Sequence, residues 1–260
     1  MSTLRQSERI EFNGRTSDEF GIYSVNVNSG LLSEPSWGNR SIVETKVKNR
    51  DIPFFHSVQS EPLSFPLYLA FEDNFDSDSL AEVYDWLHSD FYSILRFSAR
   101  PDIIYYAIVV DQPNLVHNAA ESGYIEVNMR CNAPYAFSDV LSDSYDLSSN
   151  VVAGYNATVY NRGKLPIYLD LDVTMVGDGD FSVSNYSNGG QTISFTGLSD
   201  TENVTFDSQN EIIETSGVGY RYDNWNKVNL VLVPGKNILN IKGNVQIKLI
   251  YQYKMLTGSG

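Results

Sequence analysis

The sequence predicts a mainly β protein in two halves, with one short helix in the first. Three observations carry this. The last strand alternates Val245, Ile247, Leu249, Tyr251 and Tyr253 with Gln246, Lys248, Ile250, Gln252 and Lys254, and a period of two places one apolar face in a core and the other in water. The second half breaks into short runs separated by Gly/Asn turns, the pattern of a sandwich or jelly roll. Only one stretch of the 260 residues has helical spacing of its apolar positions.

Taken in order, Ile10-Glu-Phe-Asn-Gly14 reads as a short strand entering a turn, and residues 20–27 as a second strand. The long connection over residues 31–40 carries Pro35 and Gly38 and reads as either a loop or a hairpin arm. Residues 41–48 form a strand with a charged face, carrying Ile42, Val43, Thr45 and Val47. Leu80, Val83, Tyr84 and Leu87 then fall at i, i+3, i+4 and i+7, one stripe of a helix over about residues 80–88. Ser79 and Glu82 fit a capping box, with Asp76 and Asp78 near the positive end of the dipole. Strands resume at 92–97, 103–110 and 124–129.

The polar run at 138–150 has the composition of a boundary, which sets domains at 1–138 and 139–260. Beyond it, Ile167, Leu169, Leu171 and Val173 alternate with Tyr168, Asp170, Asp172 and Thr174. Further strands fit 151–160, 191–195, 204–207 and 211–215, and three more close the chain from Lys227, broken by Pro234-Gly235 and Gly243-Asn244.

Composition narrows function. With 18 basic against 32 acidic residues the net charge is -14, which argues against gripping the outside of a duplex and does not exclude a surface that lets DNA slide past. A lone Cys131 rules out an internal disulfide framework and a thiolate metal cage. No apolar run reaches the roughly 18 residues of a membrane span, and the first ten residues do not read as a signal peptide.

Chemistry-bearing clusters are sparse. His56, His88 and His117 lie far apart, and no nucleophile elbow, Walker loop or dinucleotide turn occurs. No catalytic, cofactor-binding or metal-binding residue is assigned, and the chain is read as a non-enzyme. Asp170, Asp172, Asp178 and Asp180 read first as a solvated face and a tight turn, with a calcium site or a glycosidase carboxylate pair as alternatives. Trp225 with Tyr220 and Tyr222 is the candidate sugar-stacking platform of a second reading, a carbohydrate-binding module for host cell-wall sugars.

A succession of motifs runs through the chain. Phe12-Asn-Gly14, Phe20-Gly-Ile22, Arg50-Asp-Ile-Pro-Phe-Phe55 and Glu61-Pro-Leu-Ser-Phe65 resemble the opening of the distal tail proteins of long, non-contractile-tailed phages of Gram-positive bacteria. Arg130-Cys-Asn-Ala-Pro-Tyr-Ala-Phe137 resembles the close of that family's N-terminal domain. Asn161-Arg-Gly-Lys-Leu-Pro166 and Leu232-Val-Pro-Gly-Lys-Asn-Ile238 resemble its galectin-like C-terminal sandwich. The resemblance implies an N-terminal β-sandwich with one helix and a β-hairpin arm, here in the region 31–50, and a galectin-like or jelly-roll second sandwich. It further implies a hexameric ring at the virion's distal tail end that joins tail tube to tail-tip and receptor-binding proteins and lets DNA pass. Ring closure needs a heterologous interface, sought around Ile42, Val43, Thr45 and Val47. No cofactor and no membrane partner are expected.

Overall fold

The computed structural model describes residues 8–27, 38–118 and 121–256. The chain divides into two compact units, residues 1–137 with 255–260, and residues 138–254. Among the described residues no helix is long and apolar enough to cross a membrane.

The first unit holds β1 (Ile10–Phe12), β2 (Arg15–Thr16), β3 (Ile22–Val25), β4 (Arg40–Thr45), β5 (Phe54–Ser60) and β6 (Ser64–Phe71). The helix α1 (Ser77–Leu87), β7 (Ser93–Phe97), β8 (Arg100–His117) and β9 (Gly123–Cys131) follow. Antiparallel pairing runs β3-β6-β9-β8-β7-β1-β2. The Ser24 amide donates to the Glu8 carbonyl (2.8 Å), so the free edge of β3 returns beside the entry to β1. The curled sheet closes over one interior shared by Phe12, Leu67, Leu69, Leu95, Tyr105 and Ile125.

The helix covers one opening of that interior. Val83 and Leu87 of the expected stripe are buried, Leu80 and Tyr84 are half-buried, and Trp86 adds a buried indole. The indole stacks on Phe20 at 4.6 Å and donates to the Phe12 carbonyl at 2.8 Å. The helix begins three residues earlier than its apolar stripe. Its cap is Asp76, not Ser79: the Asp76 carboxylate accepts from the Ser79 amide (2.8 Å), and Ser79 Oγ accepts from the Asp76 amide (3.0 Å). The amide bond of Ser79 leads the influences that hold the Asp76 carboxyl below its usual range. Asp76→Ala is expected to lower the stability of this unit by removing the cap of α1, read as a shifted denaturation midpoint at unchanged slope.

The second unit contains β10 (Ala136–Leu147) from Ser138 onward, then β11 (Tyr155–Asn161), β12 (Ile167–Tyr168), β13 (Asp170–Met175) and β14 (Gly179–Asn185). After these come β15 (Gln191–Leu198), β16 (Asn203–Asp207), β17 (Ile212–Thr215), β18 (Val231–Leu232), β19 (Gly235–Lys242) and β20 (Val245–Met255). One sheet orders β17-β16-β13-β20-β10 and the other β11-β19-β14-β15, with β12 paired to β18. Aromatic rings fill the space between the layers: Phe181 stacks on its sheet neighbour Phe195 (5.2 Å), and Phe195 meets Phe206 of the other sheet edge-on (5.9 Å). This is the sandwich that the turn spacing predicts, and the apolar face of β20 is buried as its alternation requires.

Four Asn side chains hold the connections of this sandwich from inside. Asn161 donates to the Leu165 and Leu232 carbonyls, and Asn185 to the Val231 carbonyl and Asn237 Oδ1. Asn237 accepts from the Val233 amide and donates to its carbonyl. Asn240 donates to the Ala153 carbonyl and Asn156 Oδ1. Buried amides are tolerated where such bonds replace water.

Several segments differ from expectation. Residues 17–20 form a 3-10 turn, so the second strand starts at Ile22. The polar run at 138–150 is mostly strand, because β10 pairs with β20 although it carries Ser and Asp on both faces. Strands β2, β5, β6 and β14 lie where the sequence reading places none. The 31–37 part of the expected arm lies outside the described residues.

Candidate assembly surface

Strands β4 and β5 pair with each other and, among the described residues, with nothing else. Their register sets Arg40 opposite Ser60, Ile42 opposite Val58 and Val43 opposite Ser57. A bulge between Val43 and Glu44 then brings Glu44 to Phe55 and Thr45 to Phe54. Thr45 Oγ1 and His56 Nε2 are hydrogen-bonded at 2.8 Å, and the Arg50 guanidinium lies 3.9 Å over the Phe54 ring.

The root of this hairpin is tied to the body. Gly38 donates to the Pro134 carbonyl (3.2 Å), Glu61 to the Asn39 carbonyl (2.8 Å) and Leu63 to the Ala133 carbonyl (3.0 Å). Gly38 is required there by close approach: a Cβ would lie 1.8 Å from the Glu61 carbonyl oxygen.

Beyond the root the hairpin has no core of its own. Every residue of β5 is exposed. Ile42 is 63% exposed, Phe55 64% and Ile52 73%. An isolated two-stranded ribbon is marginally stable in water, and contiguous exposed apolar side chains mark an interaction surface. Of the residues predicted for an interface, Ile42, Thr45 and Val47 are exposed on this hairpin and Val43 is half-buried. Ile52, Phe54, Phe55 and Val58 join them, unforeseen. The signal available for β5 was weak, since its apolar residues are consecutive at one end instead of alternating.

The other candidates are occupied by structural work. The Asp170 carboxylate accepts from the Ser208 amide (2.8 Å) and Asp172 from the Asn203 side chain (2.7 Å). Asp178 accepts from the Asp200 amide (2.7 Å) and Asp180 from the Gly197 amide (2.8 Å). Burial pushes the Asp170 carboxyl up from its usual range; the Ser208 bond opposes this and Asp207 adds to it. These four side chains brace neighbouring strands and loops, and among the described residues no group of three His, Cys, Asp or Glu is placed to hold a metal ion.

The histidines are dispersed. His56 lies on the hairpin, His88 at the end of α1, and His117 edge-on to Phe75. Cys131 is buried, and burial pushes its thiol up to about 12.

Trp225 is 6% exposed. Its ring packs on Phe206 (4.9 Å) and its Nε1 donates to the Val228 carbonyl (3.1 Å). Tyr220 is exposed, and the Tyr222 hydroxyl accepts from the Ile213 amide (3.3 Å). The three aromatics therefore form no common exposed platform, and sugar stacking there would rest on Tyr220 and Tyr222. Trp225→Phe is expected to cost about 1–2 kcal/mol through a small void and the orphaned Val228 carbonyl, measured by denaturant unfolding.

Residues 5–133 match the family model described as "Phage tail protein N-terminal domain", and residues 135–251 that described as "Phage tail C-terminal domain". The SPbeta prophage-derived protein YomH of Bacillus subtilis (strain 168) is 34% identical over 255 residues, 97% of this chain and 100% of that relative. Among solved structures, SPP1 Dit (gp 19.1), described as a paradigm of the hub adsorption apparatus in Gram-positive infecting phages, superposes with a TM-score of 0.70 at 10% identity. The match covers 95% of this chain and 98% of that one. A chain of the phage P2 baseplate, in its activated conformation with Ca, gives a TM-score of 0.53 at 6% identity over 95% and 97%. At these identities the structural matches speak to the fold.

Proposed function

This chain belongs to a family of phage tail proteins, and on that premise we propose that it is the structural hub of the tail tip. In this reading six copies close into a ring at the distal end of the tail. The ring joins the tail tube to tail-tip and receptor-binding proteins, and DNA passes through its lumen. The first domain, 1–138, builds the ring and the second, 139–260, faces the adsorption apparatus. The role is structural, with no reaction assigned.

One observation carries the reading. A chain with the Dit fold holds out a hairpin whose apolar residues are exposed along both strands, and a surface of that kind is stable in an assembly that covers it. The net charge of -14 fits a lumen that must not retain phosphate. Ring closure requires one patch of a subunit to meet a different patch of the next, and the hairpin supplies one of the two.

Immunogold labelling of virions with antibody against this chain tests the placement. Gold confined to the distal tail end is the expected pattern. Labelling along the whole tube, or at the head-proximal end, would contradict the hub reading.

A further inference from the structure

We infer that the cationic hairpin tip of one copy docks in an acidic groove beside α1 of the next copy, which supplies the second patch that the ring reading requires. The inference rests on that reading and names the receiving surface.

The hairpin is cationic in an acidic protein. Between Arg40 and Ser60 it carries Arg40, Lys46, Lys48 and Arg50 against Glu44 and Asp51. The Lys46 and Lys48 ammonium groups are exposed and form no ion pair among the described residues. The tip is also apolar, through Val47 and Ile52. Its partner must therefore offer carboxylates around an apolar floor.

Among the described residues the first unit offers such a place. From Glu72 to Asp90 there are seven carboxylates and no Lys or Arg, a run that contains α1. Against the C-terminal half of α1 lies a groove of about 680 Å³, within the size range of ligand-binding clefts. Tyr84, Leu87, Val109 and Pro113 give it apolar walls, and Asp85 and Asp111 stand at its margin. Asp111 is held there by the bulge of β8, where it takes a φ of 63°, and by a bond from Asn128 Nδ2 (3.2 Å). The exposed Asp85 carboxylate has no hydrogen bond or ion pair among the described residues.

The two surfaces complement each other in charge and in their apolar parts, yet neither satisfies the other within one chain. That is the condition for a heterologous contact between copies. Opposite charges would steer the encounter and fix its register, while the apolar side chains supply adhesion.

Cysteine cross-linking of the full chain tests this in the native background, because Cys131 is buried with its thiol largely protonated. Lys46, Lys48 or Arg50 is replaced by Cys, in combination with Asp85→Cys or Asp111→Cys, so that at least one pair meets disulfide geometry. The expected result is a ladder of covalent oligomers on a non-reducing gel for a double variant and none for the single variants. As a second readout, Lys46→Glu with Lys48→Glu should raise the concentration for half-assembly at least tenfold, and Asp85→Lys in that background should restore it.

A ring of unchanged mass that yields no ladder and ignores the charge reversal overturns the groove contact and leaves the hub standing. A chain that stays monomeric, alone and with its tail-tube protein, overturns both. Cross-linking of the tip to the tail-tube protein instead assigns the hairpin another occupant and overturns the groove contact alone.

Discussion

A chain carrying Ile42→Ser, Phe55→Ser and Val58→Ser together is expected to lose assembly while keeping its fold. These side chains lie on a ribbon that contributes to no interior, and Ile42 sits directly across from Val58. Replacing them leaves the sheet and α1 untouched, so the thermal midpoint should stay within a few degrees of the parent. Assembly should respond strongly, because truncating a central apolar anchor commonly costs an interface more than about 1–2 kcal/mol. A closed ring repeats each such loss at every contact. Sedimentation velocity across a concentration series reads the outcome: a single slow boundary for the variant and a fast one for the parent. A variant that sediments with the parent would remove the hairpin from the interface.

Glu202→Ala is the second large effect, and it concerns folding. The carboxylate is buried and meets Arg221 twice, Nε to Oε1 at 2.6 Å and Nη2 to Oε2 at 2.7 Å. The Ser199 amide (3.0 Å) and Thr215 hydroxyl (2.6 Å) complete its shell. Removing one partner of a buried pair strands the other and typically costs about 3–5 kcal/mol. The loop from Ser216 to Asn224, which carries Tyr220 and Tyr222, would lose its main anchor. Chemical denaturation should show the loss, with Arg221→Ala comparable and the double variant far from additive.

The same group sets an acid response. Burial alone would raise the Glu202 carboxyl, but the bonds from Arg221, Ser199 and Thr215 outweigh it and hold the group at about 2. A folded-state value below the unfolded one stabilises the native protein above the unfolded value and loses that contribution as pH falls toward the folded one. The Glu202 contribution is therefore complete near neutrality and fades between about pH 5 and pH 2. Stability measured across that window should fall less steeply for Glu202→Gln than for the parent.

Much of this architecture is written in local patterns. The alternation of β20, the apolar stripe of α1 and the turns at Pro234-Gly235 and Gly243-Asn244 each depend on near neighbours, and each is found as read. The succession of motifs that resembles distal tail proteins is borne out by the family match and by the Dit fold. What failed turned on a local competition at one helix end and otherwise on distant partners. Asp76 outcompeted Ser79 for the cap because the helix begins before its apolar stripe does. In β10 the alternating row Phe137, Leu141, Tyr145 and Leu147 is interrupted by Asp139 and Asp143, which hides the strand in a polar run. Trp225, a sugar-stacking candidate only in the second reading, is a core residue whose ring packs on Phe206 from elsewhere in the sequence. The interface residues were legible on β4 alone; β5 became visible once its pairing set Phe54, Phe55 and Val58 beside them. The acidic groove joins the end of α1 to the bulge of β8, a meeting that no local pattern encodes.

The most direct measurement is the absolute mass of the purified chain by light scattering, with negative-stain images of the same peak. The hub account predicts a particle of about 175 kDa, six times 29.2 kDa, seen as a ring with a central hole. A particle that remains at the mass of one chain at high concentration, and still does so when mixed with its tail-tube protein, would contradict it.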